Sequence, residues 1–149
     1  MPAAWPAVVQ AVVALLPTLP EWSGVAVYDG LAVTDASVAQ YVTVGYQAGA
    51  DTSGAFTQEF SDDGYFWQET GDVAMTLVCN TGSDDLPTVR GQAFALLDAL
   101  QTHLHDDRWL GGVLSADGWV SLTVDPAPIK NSAGTAMSLL VTLHYFTRI

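Results

Sequence analysis

The closing stretch of the chain, Thr135 to Ile149, alternates with a period of two. From residue 137 the odd positions are Met137, Leu139, Val141, Leu143, Tyr145, Thr147 and Ile149, while Ser138, Thr142, His144 and Arg148 stand among the even ones. That pattern specifies a strand with one face in a core. A long, half-buried strand with no polar tail after it leaves a row of bare main-chain donors and acceptors unless it is paired along its length. It is therefore expected to pair inside the domain or against another copy.

Such a strand needs a core to cover it, and 149 residues, 50% of them hydrophobic and 13% charged, can supply one. At this size roughly 68–70% of the unfolded surface can be buried without a staple. The composition lies far from the low-hydrophobicity, high-charge regime of disordered chains. The reading is a single domain, 1–149, with more apolar surface than a monomer hides comfortably, which favours an oligomer.

Charge narrows the partners. Sixteen acidic residues face four basic ones, Arg90, Arg108, Lys130 and Arg148, for a formal net charge of -12 and a pI near 4.1. Nucleic-acid affinity comes mainly from Lys and Arg displacing counterions, so a grip on DNA is not expected. A wall past which DNA slides without sticking fits this sign of charge; so does plain solubility. One cysteine, Cys79, excludes an internal disulfide, favours an intracellular origin and reads as a small buried hydrophobe. The apolar run Val8 to Leu16 lacks a basic leader, is interrupted by Gln10 and is too short to span a bilayer, so a soluble, untargeted protein is expected.

Along the chain, Trp5, Val8, Val9, Val12, Leu15 and Leu16 share one face of a short helix ending near Pro17. Val25 to Tyr28 is a short strand closed by Asp29-Gly30, and Gln40 to Tyr46 is the next. Gln47 to Gly71 is expected to be a long excursion. Within it Ala55 to Phe60 and Tyr65 to Thr70 form an irregular hairpin about the turn signal Asp62-Asp63-Gly64. Its aromatics, Phe56, Phe60, Tyr65, Phe66 and Trp67, serve either as a contact surface or as a local minicore. Asp72 to Asn80 is read as a separate internal strand. A polar link, Thr81 to Asp85, then offers Ser83, Asp84 and Asp85 as N-caps for a helix from about Leu86 to His105, with Val89, Ala93, Leu96, Leu97, Leu100 and Leu104 facing the core. Arg108 to Asp117 is expected to bend, with a short strand near Val113. Gly118 to Asp125 is a strand, and Pro126 to Gly134 connects it to the last one as an antiparallel hairpin. The fold class is α+β: a mixed, mostly antiparallel sheet packed by two helices.

Chemistry is sparse. Asp62-Asp63, Asp84-Asp85 and Asp106-Asp107 are explained by a turn, a cap and a solvated helix end, and none follows the twelve-residue calcium-loop pattern. His103 and His105, one residue apart, diverge on a helix and cannot chelate as an i, i+4 pair would. His144 falls on the polar face of the last strand. No nucleophile elbow, phosphate loop or dinucleotide fingerprint is present. No catalytic residue, cofactor or metal site is expected. Gly91, inside a clean helical pattern, costs about 1 kcal/mol against alanine, which either close packing of another chain or simple tolerance explains.

Helix, two strands, long loop, strand, long helix and a final hairpin: this order resembles the tail terminator (tail completion) proteins of long-tailed bacteriophages. The likeness is carried by Val8 to Leu16, by Gly24-Val25-Ala26-Val27-Tyr28-Asp29-Gly30, by Val89 to Leu104, and by the closing Leu139 to Ile149, and it spans nearly the whole chain. Element order and size carry it more than any signature residue. The resemblance implies a non-enzymatic virion protein, assembled in the host cytoplasm. Six copies would close a ring on the head-proximal end of the tail tube, ending its polymerisation and docking the head-tail connector, with DNA passing through unbound and no membrane involved. Phe66, Trp67, Arg90, Gly91, Arg108, Lys130 and Arg148 would then meet neighbouring subunits or the tube, although each arginine serves equally well in an ordinary pair within the chain. Another neck, head-completion or tail-tube subunit, or a small ligand-binding α+β domain, are the competing readings.

Overall fold

The closing alternation becomes the central strand of a six-stranded sheet. The computed structural model describes residues 2–31, 39–47, 52–80, 85–131 and 134–149, with the side chains of 130 and 131 outside that description. Its elements are α1 (Trp5–Leu15), β1 (Ala26–Asp29), β2 (Gln40–Val44), β3 (Gly54–Phe60), β4 (Trp67–Asn80), α2 (Leu86–Asp106), β5 (Trp119–Asn131) and β6 (Gly134–Arg148), with single-turn helices at Leu16–Thr18 and Pro20–Trp22. The strands run β1-β2-β4-β6-β5, and β3 extends the β2 side of β4. Only β1 and β2 are parallel. This is the mixed, mostly antiparallel α+β sheet with two helices that the sequence predicts.

β6 is satisfied within the chain, along β4 on one side and β5 on the other. Its odd residues from Thr135 to Thr147 are all buried, with Leu139, Leu143 and Tyr145 wholly covered, and near its start the even Ala136 and Ser138 are buried as well. In register with them stand Val73, Met75, Leu77 and Cys79 of β4. α2 lies over β4 and β6, and α1 over β4, β2 and β1. The helices close this face with Val8, Val9 and Val12 from α1, and Val89, Ala93, Leu96, Leu97, Leu100 and Leu104 from α2. Trp22 pins the connection beneath α2 through an indole N–H donated to the Leu96 carbonyl at 3.0 Å. No helix among the described residues is long and apolar enough to cross a membrane.

Four expectations are corrected. From Gly54 onward the excursion is a regular hairpin, residues 48–51 lying outside the described residues, and its second arm does not stop at Thr70; it runs through Gly71 into the strand expected from Asp72, giving the single strand β4. β2 and β3 share the edge of this one long strand. The bend after α2 holds no strand at Val113, because Leu110 (φ 51°), Gly111 (66°) and Gly112 (93°) are successively left-handed and no strand contains such a run. At the start of α2, Asp85 is the N-cap residue but makes no side-chain cap bond, its carboxylate accepting instead from the Thr88 hydroxyl. Ser83 and Asp84 lie outside the described residues.

The fourth correction concerns the two prolines expected in a connection. β5 carries on through Pro126 and Pro128 to Asn131. The Ile149 N–H donates to the Trp67 carbonyl at 2.9 Å, so the odd residues of β6 turn their main-chain groups to β4 and the even ones to β5. Through the register Thr123↔Thr142 and Asp125↔Leu140, the odd residues of β5 face β6 and the even ones face outward. Both prolines are even. Their missing donors fall on the free edge and cost the ladder nothing, which is where prolines are tolerated in sheets.

A buried polar cluster fixes how α1 and β3 meet the sheet. Glu69, fully buried, accepts from the Ala4 N–H (3.0 Å), the Gln58 side-chain amide (2.8 Å) and the Tyr145 hydroxyl (2.5 Å). The Trp5 indole donates to the Asp72 carbonyl at 2.8 Å. Burial first, then the bond to Glu69, holds the Tyr145 phenol far above its usual pKa, so it stays a donor. Gly71 makes the arrangement possible, because a Cβ there would sit 2.5 Å from the Tyr145 hydroxyl oxygen.

Cys79, toward the other end of β4, is fully buried in the apolar core, and burial pushes its thiol up to about 11 from 9.0. The thiolate is the reactive form, so alkylation at pH 8 is expected to be as slow as opening of the fold, and rapid in urea. The folded state holds the proton more tightly than the unfolded one. The stability this contributes is therefore complete below pH 9.0 and declines as pH rises toward 11. Fast labelling of native protein at pH 8 would contradict this environment.

Candidate functional site

At one pole of the sheet lie the β3–β4 turn, the end of β6, the start of β5 and the loop that follows α2. The turn is built locally. The Ser61 N–H donates to the Phe66 carbonyl at 2.8 Å, and the Gly64 N–H to the Ser61 carbonyl at 2.7 Å, with Gly64 left-handed at φ 71°. Asp63 accepts from the Ser61 hydroxyl and from the Tyr65 N–H, and these bonds hold its carboxyl below its ordinary pKa. The turn thrusts Tyr65 into solvent at 80% exposure. Behind it Trp67 packs on Phe60 with ring centroids 4.1 Å apart.

Arg148 reaches this turn from the end of β6. Its guanidinium lies 4.9 Å from the Phe66 ring centroid and pairs with Asp117 at 2.6 Å. One of the predicted contact residues, Phe66, is thus joined to another, Arg148. Phe60 and Trp67 form a small local cluster, while Phe60 and Phe66 stay about half exposed. The loop after α2 is tied to the same place: the Ser115 N–H donates to the Thr147 hydroxyl (2.9 Å), and the Arg148 N–H to the Ser115 hydroxyl (3.0 Å).

Across the same pole, a groove of about 410 Å³ separates the last turns of α2 from β5. Leu104, His105 and Arg108 form one wall, and Trp119, Val120 and Leu122 the other. Arg108 lies 5.7 Å from the Trp109 ring centroid, and Trp119 stacks on Phe146 at 6.3 Å. The groove exists because α2 covers β4 and β6 but stops short of β5, leaving Val120, Leu122 and Val124 only partly buried against the core. Sequence periodicity marks these three as core-facing. It carries no signal that the covering helix ends one strand too early.

Arg90 and Gly91 sit elsewhere, exposed near the start of α2 at the opposite pole. A Cβ on Gly91 would meet nothing within 4 Å, so nothing among the described residues accounts for the glycine. Lys130 lies at that pole near the end of β5, its side chain outside the described residues. The seven predicted residues therefore divide: Phe66, Trp67, Arg108 and Arg148 share a pole, and Arg90, Gly91 and Lys130 do not join them.

His144, expected on the polar face, crosses the sheet surface as a link. Its Nδ1 lies 2.5 Å from Asp72 Oδ1 and its Nε2 2.8 Å from Thr123 Oγ1. The order acid, imidazole, hydroxyl is that of a nucleophilic relay, but a relay also needs donors aimed at the developing oxyanion. Strand N–H groups lie in the plane of the sheet, whereas the Thr123 hydroxyl stands on its face. Among the described residues no group of three or more His, Cys, Asp or Glu is placed to hold a metal ion.

No protein-family model and no curated protein matches this sequence. Among solved structures 21 chains match. One belongs to the virion of a native gene transfer agent particle, with 17% identity over 97% of this chain and 91% of that one, at a TM-score of 0.45. A likeness at that score fixes neither fold nor role.

Proposed function

We propose that this chain is a structural subunit of a phage-type virion, a tail terminator, acting by recognition and not by catalysis. Copies associate head to tail around a rotation axis into a ring, the ring caps the head-proximal end of the tail tube, and its other side receives the head-tail connector. A six-membered ring is the expected closure, as in the family that the element order resembles.

One observation carries this reading. Among the described residues the two sides of the sheet end in edges of different character: β1 and the acidic aromatic hairpin β3–β4 on one side, and β5 with its apolar, arginine-bearing groove on the other. Unlike patches on opposite sides of one subunit give heterologous contacts, which form rings when the rotation closes. Arg90, Gly91 and Lys130, at the opposite pole, are then placed to meet the tube or connector. The formal charge of -12 keeps the ring from gripping the DNA that passes through it.

Particles produced without this protein decide the matter by electron microscopy. Tails of uncontrolled length, or finished tails that fail to join heads, are expected. Normal virions would reject the proposal.

A further inference from the structure

We infer that the ring is a continuous β-sheet, with β3 of one copy pairing antiparallel to the first half of β5 in the next. This rests on the assembly reading above and specifies its contact. Among the described residues neither the outer edge of β3 nor that of β5 has a strand partner. β3 and β5 run in opposite directions within the chain and flank β4 and β6. They are three strand spacings apart, about 14 Å. A neighbour related by rotation therefore presents β3 to β5 in the antiparallel sense without reorientation.

Main-chain parity selects the residues. Ser61 N–H to Phe66 carbonyl and Ala74 N–H to Ser53 carbonyl, at 2.8 and 3.1 Å, show that odd residues on the β3 side bond to β4. Gly54, Phe56, Gln58 and Phe60 consequently turn their donors and acceptors outward. On β5 the outward residues are Val120, Leu122, Val124, Pro126 and Pro128, and the prolines offer no donor. The pairable edge is thus Trp119 to Asp125, the same length as β3. One register uses it fully: Phe60 opposite Val120, Gln58 opposite Leu122, Phe56 opposite Val124. Pro126 then falls opposite Gly54, where β3 begins, so the prolines end the pairing and guard the rest of the edge.

Side chains agree with the ladder. In this register Phe56 and Phe60, 47% and 54% exposed, join Val120, Leu122 and Val124 on the same face of the sheet, extending it over the groove. Asp62 and Asp63 of the incoming hairpin turn travel with them toward Arg108 at the groove. On a chain this acidic most opposed surfaces repel; here acids meet one of the four basic side chains.

The register places Thr57 opposite Thr123 as a non-hydrogen-bonded pair, with Cα atoms about 4.5 Å apart and within disulfide reach. A Thr57→Cys/Thr123→Cys protein, oxidised under assembly conditions, is expected to give a ladder of linked multimers on a non-reducing gel. Each single variant should stay monomeric on the gel. Phe56→Pro removes one outward donor and no bond to β4, and is expected to raise the concentration needed for assembly by about tenfold while the monomer stays folded. If the double variant assembles without cross-linking and Phe56→Pro assembles like the parent, the pairing is wrong although the assembly reading survives. If the unaltered protein never self-associates, alone or on purified tail tubes, both fall.

Discussion

Replacing Glu69 with alanine is expected to lower the unfolding free energy by about 3–5 kcal/mol, because one buried and two part-buried donors lose their acceptor together. The Ala4 N–H, the Gln58 amide and the Tyr145 hydroxyl converge on this carboxylate from α1, β3 and β6. The cavity left by the side chain returns none of those bonds. Tyr145→Phe removes one donor, leaves Glu69 with two, and should cost about 1–3 kcal/mol. Urea titration of the two variants against the parent measures both losses. A Glu69→Ala protein within about 1 kcal/mol of the parent would show that the cluster is not what binds α1 and β3 to the sheet. The functional consequence is local as well as global. A loosened β3 no longer presents an ordered edge, so this variant should assemble poorly even where it remains folded.

Gly71→Val is the second large effect expected. Gly71 has ordinary strand backbone, so the obstacle is space alone: a Cβ would lie 2.5 Å from the Tyr145 oxygen and 2.6 and 2.7 Å from two ring carbons. The ring is fully buried and its hydroxyl is anchored on Glu69, so it cannot retreat. Overpacking of this kind costs about 1–3 kcal/mol and more where neighbours are fixed. Valine, with two further methyls, belongs at the upper end. Alanine in place of Gly71 tests the cause through a double-mutant cycle. Combined with Tyr145→Leu, which shortens the opposing side chain, the pair should lose at least about 1 kcal/mol less than the sum of the two single variants. Strict additivity would mean that Gly71 and Tyr145 are not in conflict.

Much of the architecture is written in local pattern. The alternation in β6, the apolar stripes of α1 and α2, and the Asp62-Asp63-Gly64 turn each specify an element from neighbouring residues alone, since side-chain period follows from backbone geometry. Gly71 misleads for the same reason. Glycine usually weakens or interrupts a strand, and only the ring of Tyr145, arriving from the far end of the chain, makes it a requirement. Pro126 and Pro128 mislead likewise, because a proline's cost depends on whether its nitrogen faces a partner strand or the free edge, and that is settled by the register of β6 on β4.

The candidate site divides along the same line. The sequence by itself determined the surplus of acid, the scarcity of cations, the run of aromatics in the hairpin and the absence of recognisable nucleophile or phosphate-binding motifs. Composition and short spacing are enough to state these. Only the tertiary structure decided that Phe66 meets Arg148, that α2 leaves β5 uncovered beside Arg108, and that the free edges of β3 and of the first half of β5 run in opposite directions over equal lengths. Those relations join residues far apart in the chain. They depend on strand order, register and the reach of a helix across a sheet, which are set by packing and by no local pattern.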